Sequence, residues 1–162
     1  MNDPSNICLS CGLCCDGSLV GFVDIDNDEL PALKELMSID EEQGHGFFLL
    51  PCDNLGCDGC TIYSDRPKQC RSFNCGLLNA VTKKGVAIDS AKTTINEVKA
   101  KKEVILNKLS TLQIELKSKS FYFQVVELKK LLLTSNQKHQ DILLDIDLLD
   151  QLITKEFGVS LS

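Results

Sequence analysis

The stretch NICLSCGLCCDG, at residues 6–17, constrains this chain more than any other feature. It places four cysteines within eight positions, two of them adjacent, namely Cys8, Cys11, Cys14 and Cys15. The chain of 162 residues has nine cysteines, and all nine lie within residues 1–80. Because the number is odd, a fully paired disulfide framework is disfavoured. In a reducing compartment, dense cysteine patterns favour metal binding over disulfide formation.

The other cysteines lie in a loop-like segment that runs from Pro51 to the last cysteine. They are Cys52, Cys57, Cys60, Cys70 and Cys75. Glycine, aspartate, asparagine and proline surround them, which is typical of loops. A Cys-x2-Cys spacing, present in both cysteine-rich stretches, is a common arrangement for two thiolates that ligate one ion. So small a region has little apolar surface to bury, and a bound metal would stabilise it.

The charge distribution limits the choice of partner. Residues 1–80 have 4 basic against 13 acidic side chains, a net charge of −9, and residues 81–162 have 13 against 10, a net charge of +3. Nucleic-acid binding is not expected of the acidic cysteine-rich half, because neutralisation of phosphates supplies much of that affinity. The sequence contains no secretory signal pattern and no apolar stretch long enough to cross a membrane, so we expect a cytoplasmic protein.

The composition predicts two domains. Residues 1–80 form a small irregular, mostly α cysteine-cluster module that a metal staples together. Within it we predict short strands at residues 18–26 and 44–50 and a helix at residues 28–37. Residues 81–162 form an all-α helical hairpin or bundle.

Apolar residues at three- and four-residue spacing predict a long helix with a coiled-coil-like face in the second half. These residues are Ile95, Val98, Ile105, Leu109, Leu112 and Leu116, with Lys102 at an intervening core position. Alternatively, Ser110 and Thr111 break this stretch. Further helices are predicted at residues 121–133 and 141–158, separated by a polar break at 134–140. The apolar faces either close on each other or bind a protein partner, including a second copy of the chain.

The first cysteine stretch does not identify the metal. Its opening matches the ferredoxin run Cys-x2-Cys-x2-Cys, but Cys15 follows Cys14 directly, where that run has three intervening residues. Adjacent residues tend to point in diverging directions, so these two cysteines more easily serve two centres than one. Eight thiolates can form two four-cysteine zinc sites, one [4Fe–4S] cluster plus a separate ion, or a polynuclear centre. Zinc and iron both suit thiolate ligands, so both stay open.

The second stretch, IYSDRPKQCRSFNC, completes a recognisable pattern with the first. Together they resemble the CxxCxxCC family, also called the YkgJ-type family of zinc- or iron-chelating domains, over residues 6–76. The resemblance implies eight metal ligands: Cys8, Cys11, Cys14, Cys15, Cys52, Cys60, Cys70 and Cys75. Cys57 lies outside the family motif. The leading hypothesis is therefore a cytoplasmic protein that chelates zinc or iron through these eight thiols.

The same resemblance implies an alternative function. The family's relatives include flagellin lysine methylases, so an iron–sulfur-dependent redox or protein-modification enzyme is the competing hypothesis. The sequence shows no glycine-rich nucleotide turn after a strand, and we do not transfer the methylase activity. A thiol–disulfide switch at Cys57 and Cys60 is a third interpretation, weakened because Cys60 belongs to the metal motif. No catalytic set can be identified from the spacing.

Several other side chains near the thiols are candidates for supporting roles. Arg66 and Arg71 lie on either side of a motif cysteine, where they either offset thiolate charge or pair with nearby carboxylates. Tyr63 and Phe73 are expected to pack over the thiols. His45, between two glycines, is a weaker candidate ligand.

Overall fold

The computed structural model describes residues 6–134 and 139–161, which contain seven helices and five short strands. The helices are α1 (Asn6–Cys11), α2 (Leu30–Leu33), α3 (Lys68–Ser72), α4 (Gly76–Lys84), α5 (Ile88–Thr111), α6 (Phe121–Thr134) and α7 (Gln140–Phe157). The strands are β1 (Phe22–Ile25), β2 (Asp40–Glu42), β3 (His45–Leu49), β4 (Leu55–Gly56) and β5 (Gly59–Cys60).

A three-stranded antiparallel sheet in the order β1–β3–β2 forms the outer part of the first half. Alternate side chains of β1 and β3 are buried, as expected for a sheet with one covered face. They form a small core with the helix and loop beside them: Val23, Ile25, Leu33, Phe48 and Leu50. Both predicted strands are therefore present. The predicted helix at 28–37 is shorter, because α2 ends at Leu33 and turns continue to Met37.

The second half is all-α, as predicted, and its helices pack on each other. The buried stripe of α5 lies against α7, and both stripes belong to the main core. The α5 stripe is Ala91, Ile95, Val98, Ile105 and Leu109, and the α7 stripe is Ile142, Ile146, Leu149, Ile153 and Phe157. Helix α7 ends at Gly158, whose φ of +70° closes the helix in the left-handed conformation.

The predicted coiled-coil-like face is shorter in the structure than in the sequence pattern. Helix α5 ends at Thr111, so Leu112 and Leu116 lie beyond it, and Leu112 is exposed. The rest of the face contacts α7 of the same chain. Self-association through these helices stays a prediction. The predicted polar break at 134–140 includes residues 135–138, which lie outside the described residues.

The main apolar core also includes residues of the first cysteine stretch. Ile7, Leu13 and Leu19 are buried in the same cluster as Leu77 and the helices α5 to α7. The first cysteines therefore rest on the helical half of the chain. The predicted domain boundary at residue 80 stays a prediction. None of the helices in the described part of the chain is both long enough and apolar enough to span a membrane.

Candidate metal centre

The first cysteine stretch is a helix followed by a tight turn around one buried side chain. Gly12, at φ +70°, ends α1 and donates its N–H to the Cys8 carbonyl at 3.3 Å. The Leu13 side chain is fully buried, and its carbonyl accepts the N–H groups of Ser18 and Leu19 at 3.0 Å. The leucine thus anchors the loop in the core. The thiol of the next residue, Cys14, is only partly buried.

The second cysteine stretch is tied to the first by backbone contacts. The N–H of Cys52 donates to the carbonyl of Cys15 at 2.8 Å. The β4–β5 hairpin, which contains Cys60, lies against α1. A Cβ on Gly59 would lie 2.6 Å from the carbonyl oxygen of Leu9, so only glycine permits this approach. These contacts bring Cys60 and Cys52 to the first cysteine loop.

The last two motif cysteines are held by different parts of the fold. Cys70 lies in α3, where the neighbouring Gln69 side chain accepts a hydrogen bond from the Asp24 N–H of β1 at 2.6 Å. Cys75 is the N-cap of α4, and its Sγ accepts a hydrogen bond from the Leu78 N–H at 3.4 Å. Helix α4 packs on α7. The sheet thus positions Cys70, and the helical half positions Cys75.

All eight cysteines of the motif line one cavity of about 470 Å³. Most of the remaining lining is apolar, and Arg66 and Arg71 also border the cavity. Cys57 is exposed and does not line it. All nine cysteines are free thiols in this structure.

Four of the thiols form the first thiol set, defined as Cys8, Cys11, Cys14 and Cys75. Burial raises the pKa of Cys11 to about 11 and also raises the pKa of Cys8 and of Cys14. Charge repulsion within the set also contributes, since Cys75 raises the pKa of each of the other three, while a hydrogen bond with the Leu13 backbone lowers the pKa of Cys11. A pKa above the usual range keeps these thiols protonated at neutral pH.

The other four thiols form the second thiol set, defined as Cys15, Cys52, Cys60 and Cys70. Burial, and then the charges of the other three members, raise the pKa of Cys15 to about 12. Burial likewise raises the pKa of Cys70 to about 11 and raises that of Cys52, with Cys60 contributing to both shifts. Between the two sets, the charge of Cys15 also contributes to the raised pKa of its chain neighbour Cys14.

Arg66 borders the cavity that both thiol sets line. Its guanidinium carbon is 3.6 Å from the centroid of the Tyr63 ring, a cation–π contact. Its buried Nε has no hydrogen-bond partner among the described residues. Its positive charge lowers the pKa of one thiol in each set, Cys8 and Cys70, against the larger effect of burial. This arrangement corresponds to the predicted role of offsetting thiolate charge.

The other candidate side chains occupy different environments. Arg71 forms an ion pair with Glu29 at 3.3 Å, which corresponds to the carboxylate-pairing alternative. Phe73 and Tyr63 both border the cavity, and the expectation that they pack over the thiols stays a prediction. His45 is exposed at the start of β3 and does not line the cavity.

A comparison with protein families identifies this cysteine arrangement. The model of the family CxxCxxCC, described as "Putative zinc- or iron-chelating domain", matches residues 7–106. The chain belongs to the CxxCxxCC family. The resemblance seen in the sequence is confirmed, and the match supports a metal-binding role. It includes both thiol sets and continues through most of α5. Comparisons with curated proteins and with solved structures gave no significant match.

The donor chemistry fits the metal that the CxxCxxCC family implies. Eight thiols surround one cavity, and thiolate sulfur is a preferred ligand of zinc and of iron–sulfur clusters. As the side chains stand, however, no three histidine, cysteine, aspartate or glutamate residues in the described ranges lie close enough to hold an ion. Thiolates repel each other, so the convergence of four thiolates is energetically favourable only when they bind a cation.

Sequence reasoning did not assign a role to the lysines of α5 that face the first cysteine loop of this CxxCxxCC domain. The Lys99 ammonium donates to the carbonyl of Ser10 at 3.4 Å, and the Lys102 ammonium donates to Asp16 at 3.0 Å. The available signal was the presence of Lys102 at a core position of an otherwise apolar seam. A lysine at such a position requires a buried or half-buried acceptor.

Proposed function

We propose that this chain chelates zinc or iron in two four-thiolate centres, one formed by each thiol set. The observation that carries the proposal is that all eight motif thiols line one cavity. Their charge effects on one another's pKa support a division into two sets of four. Each set has the four cysteines that a closed zinc site or an iron–sulfur cluster uses. Cys14 and Cys15, adjacent in the chain, each complete a different centre.

The thiol count favours chelation over catalysis. A catalytic zinc site keeps one ligand position open, whereas a site with four cysteine ligands is closed and structural. Each proposed centre uses four protein thiols and leaves no such position. When bound, the metal would crosslink the loops that carry the cysteines and supply the stability that this region lacks in apolar burial. The enzyme alternative would require either an open ligand position in one set or a redox-active iron–sulfur cluster.

A positively charged side chain beside the thiols favours metal centres that have a net negative charge. A zinc ion with four thiolates has a formal charge of −2, and Arg66 is positioned to offset part of it in both sets. The thiols must stay reduced to bind metal. For that reason we propose a reducing compartment, the cytoplasm, as the site of action.

Metal analysis of anaerobically purified protein tests this function. We expect two zinc ions per chain and no visible colour, or iron with sulfide and an absorption band at about 400 nm, as cysteine-ligated clusters give. The matched control is Cys57→Ser, which removes the cysteine outside both sets and should leave the metal content unchanged. Purified wild-type protein with substoichiometric zinc and iron, which also fails to take up either metal, would contradict the proposal.

Metal binding is expected to release protons, because the ligands are thiolates. Six of the eight thiols have a raised pKa and are protonated at pH 7, three in each set. Each centre should therefore release at least three protons when it fills. Since protons compete with the metal, the apparent affinity should rise with pH from 6 to 8, in the direction set by these raised pKa values.

A pH-indicator titration of reduced, metal-free protein with Zn²⁺ measures this release in weak buffer. Cys57→Ser is again the matched control and should release as many protons as the wild type. Release of fewer than three protons per bound ion would show that the four thiols of a set do not all become ligands.

A further inference from the structure

Lys102 lies in helix α5, and its ammonium group contacts the first cysteine loop. The Nζ atom is 3.0 Å from Asp16 Oδ2 and 2.9 Å from Ser18 Oγ. It also lies 5.2 Å from the centroid of the Phe121 ring, within the range of a cation–π contact. The side chain of Lys102 is only 15 % exposed and that of Asp16 26 % exposed. Such a sheltered pair is screened less than an ion pair on the surface.

The other carboxylate oxygen of Asp16 accepts a hydrogen bond within the turn at residues 16–18. This oxygen, Oδ1, accepts the N–H of Ser18 at 2.9 Å, and the Ser18 side chain is buried. The aspartate side chain therefore bridges the turn at residues 16–18 and the ammonium of Lys102. Asp16 directly follows Cys15, so a change in this turn would move the backbone that carries Cys15.

The start of α6 holds the same turn from its other side. The Tyr122 N–H donates to the Gly17 carbonyl at 2.8 Å. A Cβ on Gly17, whose φ is +78°, would lie 2.8 Å from the Cβ of Ser120. The turn thus has contacts with two helices of the second half, and its geometry is narrowly defined.

We propose that Lys102 is a positioning residue for the second metal centre, acting through Asp16 to direct Cys15 into the second thiol set while Cys14 stays in the first. This role rests on the proposed function. The ammonium also neutralises a carboxylate that would otherwise repel the thiolates beside it. The family match extends past the last cysteine to residue 106, and so includes Lys102.

Zinc release from loaded protein tests this role. After Zn²⁺ loading and mixing with excess chelator, Lys102→Met should release one of its two ions at least about tenfold faster than the wild type, as loss of a ligand-orienting group typically does. The other ion should leave at the wild-type rate. Lys102→Arg keeps the charge and should restore slow release. The matched control is Lys101→Met. Lys101 is more exposed than Lys102, and its ion pair with Glu97 is long, at 4.0 Å.

The accelerated ion is assigned with a second substitution. In a Cys15→Ser background, which retains only the first centre, Lys102→Met should leave the release rate of the remaining ion unchanged. If Lys102→Met does not fold, as judged by circular dichroism of the loaded protein, Asp16→Asn takes its place and should accelerate the same ion. Wild-type release rates for both ions, or equal acceleration of both, would overturn the role of Lys102. Failure of the wild type to bind either zinc or iron would instead overturn the proposed function and, with it, this role.

Discussion

Removal of the metal is expected to speed amide hydrogen exchange in the cysteine loops by several orders of magnitude, while α7 stays protected. Binding of a structural zinc ion contributes about 10–16 kcal/mol in small zinc-stapled domains, which exceeds the stability of most folds. Within the described stretch between Cys52 and Cys75, no hydrophobic side chain belongs to the buried core. In the stripe of α7, by contrast, Ile146 and Ile153 are fully buried and do not line the cavity of the thiols.

Specific amides report this difference. The N–H of Cys52 donates to Cys15 and that of Thr61 donates to Asn54, both at 2.8 Å and both between segments that the metal would join. Their exchange is measured by mass spectrometry with and without a chelator, under reducing conditions. A chelator-treated Cys57→Ser protein should behave like the chelator-treated wild type. Equal protection of the Cys52 and Thr61 amides in loaded and stripped protein would contradict the expectation.

Regular elements of this fold could be predicted from the sequence where a single physical rule dominates. The short apolar run at residues 47–50 after a glycine turn indicates a strand, and Gly158 marks the end of α7, because a left-handed residue at that point rarely tolerates a side chain. The three- and four-residue spacing of Ile95 and Val98 likewise indicates a helix. These signals are local, so they persist without knowledge of the tertiary structure.

The short helices and the strand β2 could not be predicted in this way. Helix α1 has only six residues, two of them cysteines, and a helix of that length is not stable in isolation. It forms here because Ile7 and Leu13 are buried against the helices of the second half. Likewise, the three residues of β2 are all exposed and pair with β3 through the backbone, which leaves no apolar pattern to detect.

The proposed division of the thiols into two sets also depends on the tertiary structure. Cys70 and Cys75 are close in sequence, yet one lies in a helix that contacts β1 and the other caps a helix that packs on α7. Spacing alone would assign them to the same centre. What the sequence does indicate is the separation of Cys14 from Cys15, because adjacent side chains diverge.

Replacement of Cys14 or Cys15 is therefore expected to have the second large effect, the loss of one complete metal centre. A serine in place of either cysteine keeps the approximate size of the side chain but removes a thiolate, the ligand that soft metals prefer. Three thiols and a serine should not hold the ion of a closed site. Because the two cysteines complete different sets, the two variants should lose different centres.

The most direct test counts the metal in Cys14→Ser and Cys15→Ser and identifies the thiols that each variant still protects from alkylation. Each variant should retain half of the wild-type metal. Cys14→Ser should protect the second set (Cys15, Cys52, Cys60 and Cys70), and Cys15→Ser should protect the first set (Cys8, Cys11, Cys14 and Cys75). The double variant should bind none, and Cys57→Ser should bind the full amount. Equal metal contents with the same protected thiols in both single variants would contradict the two-centre account.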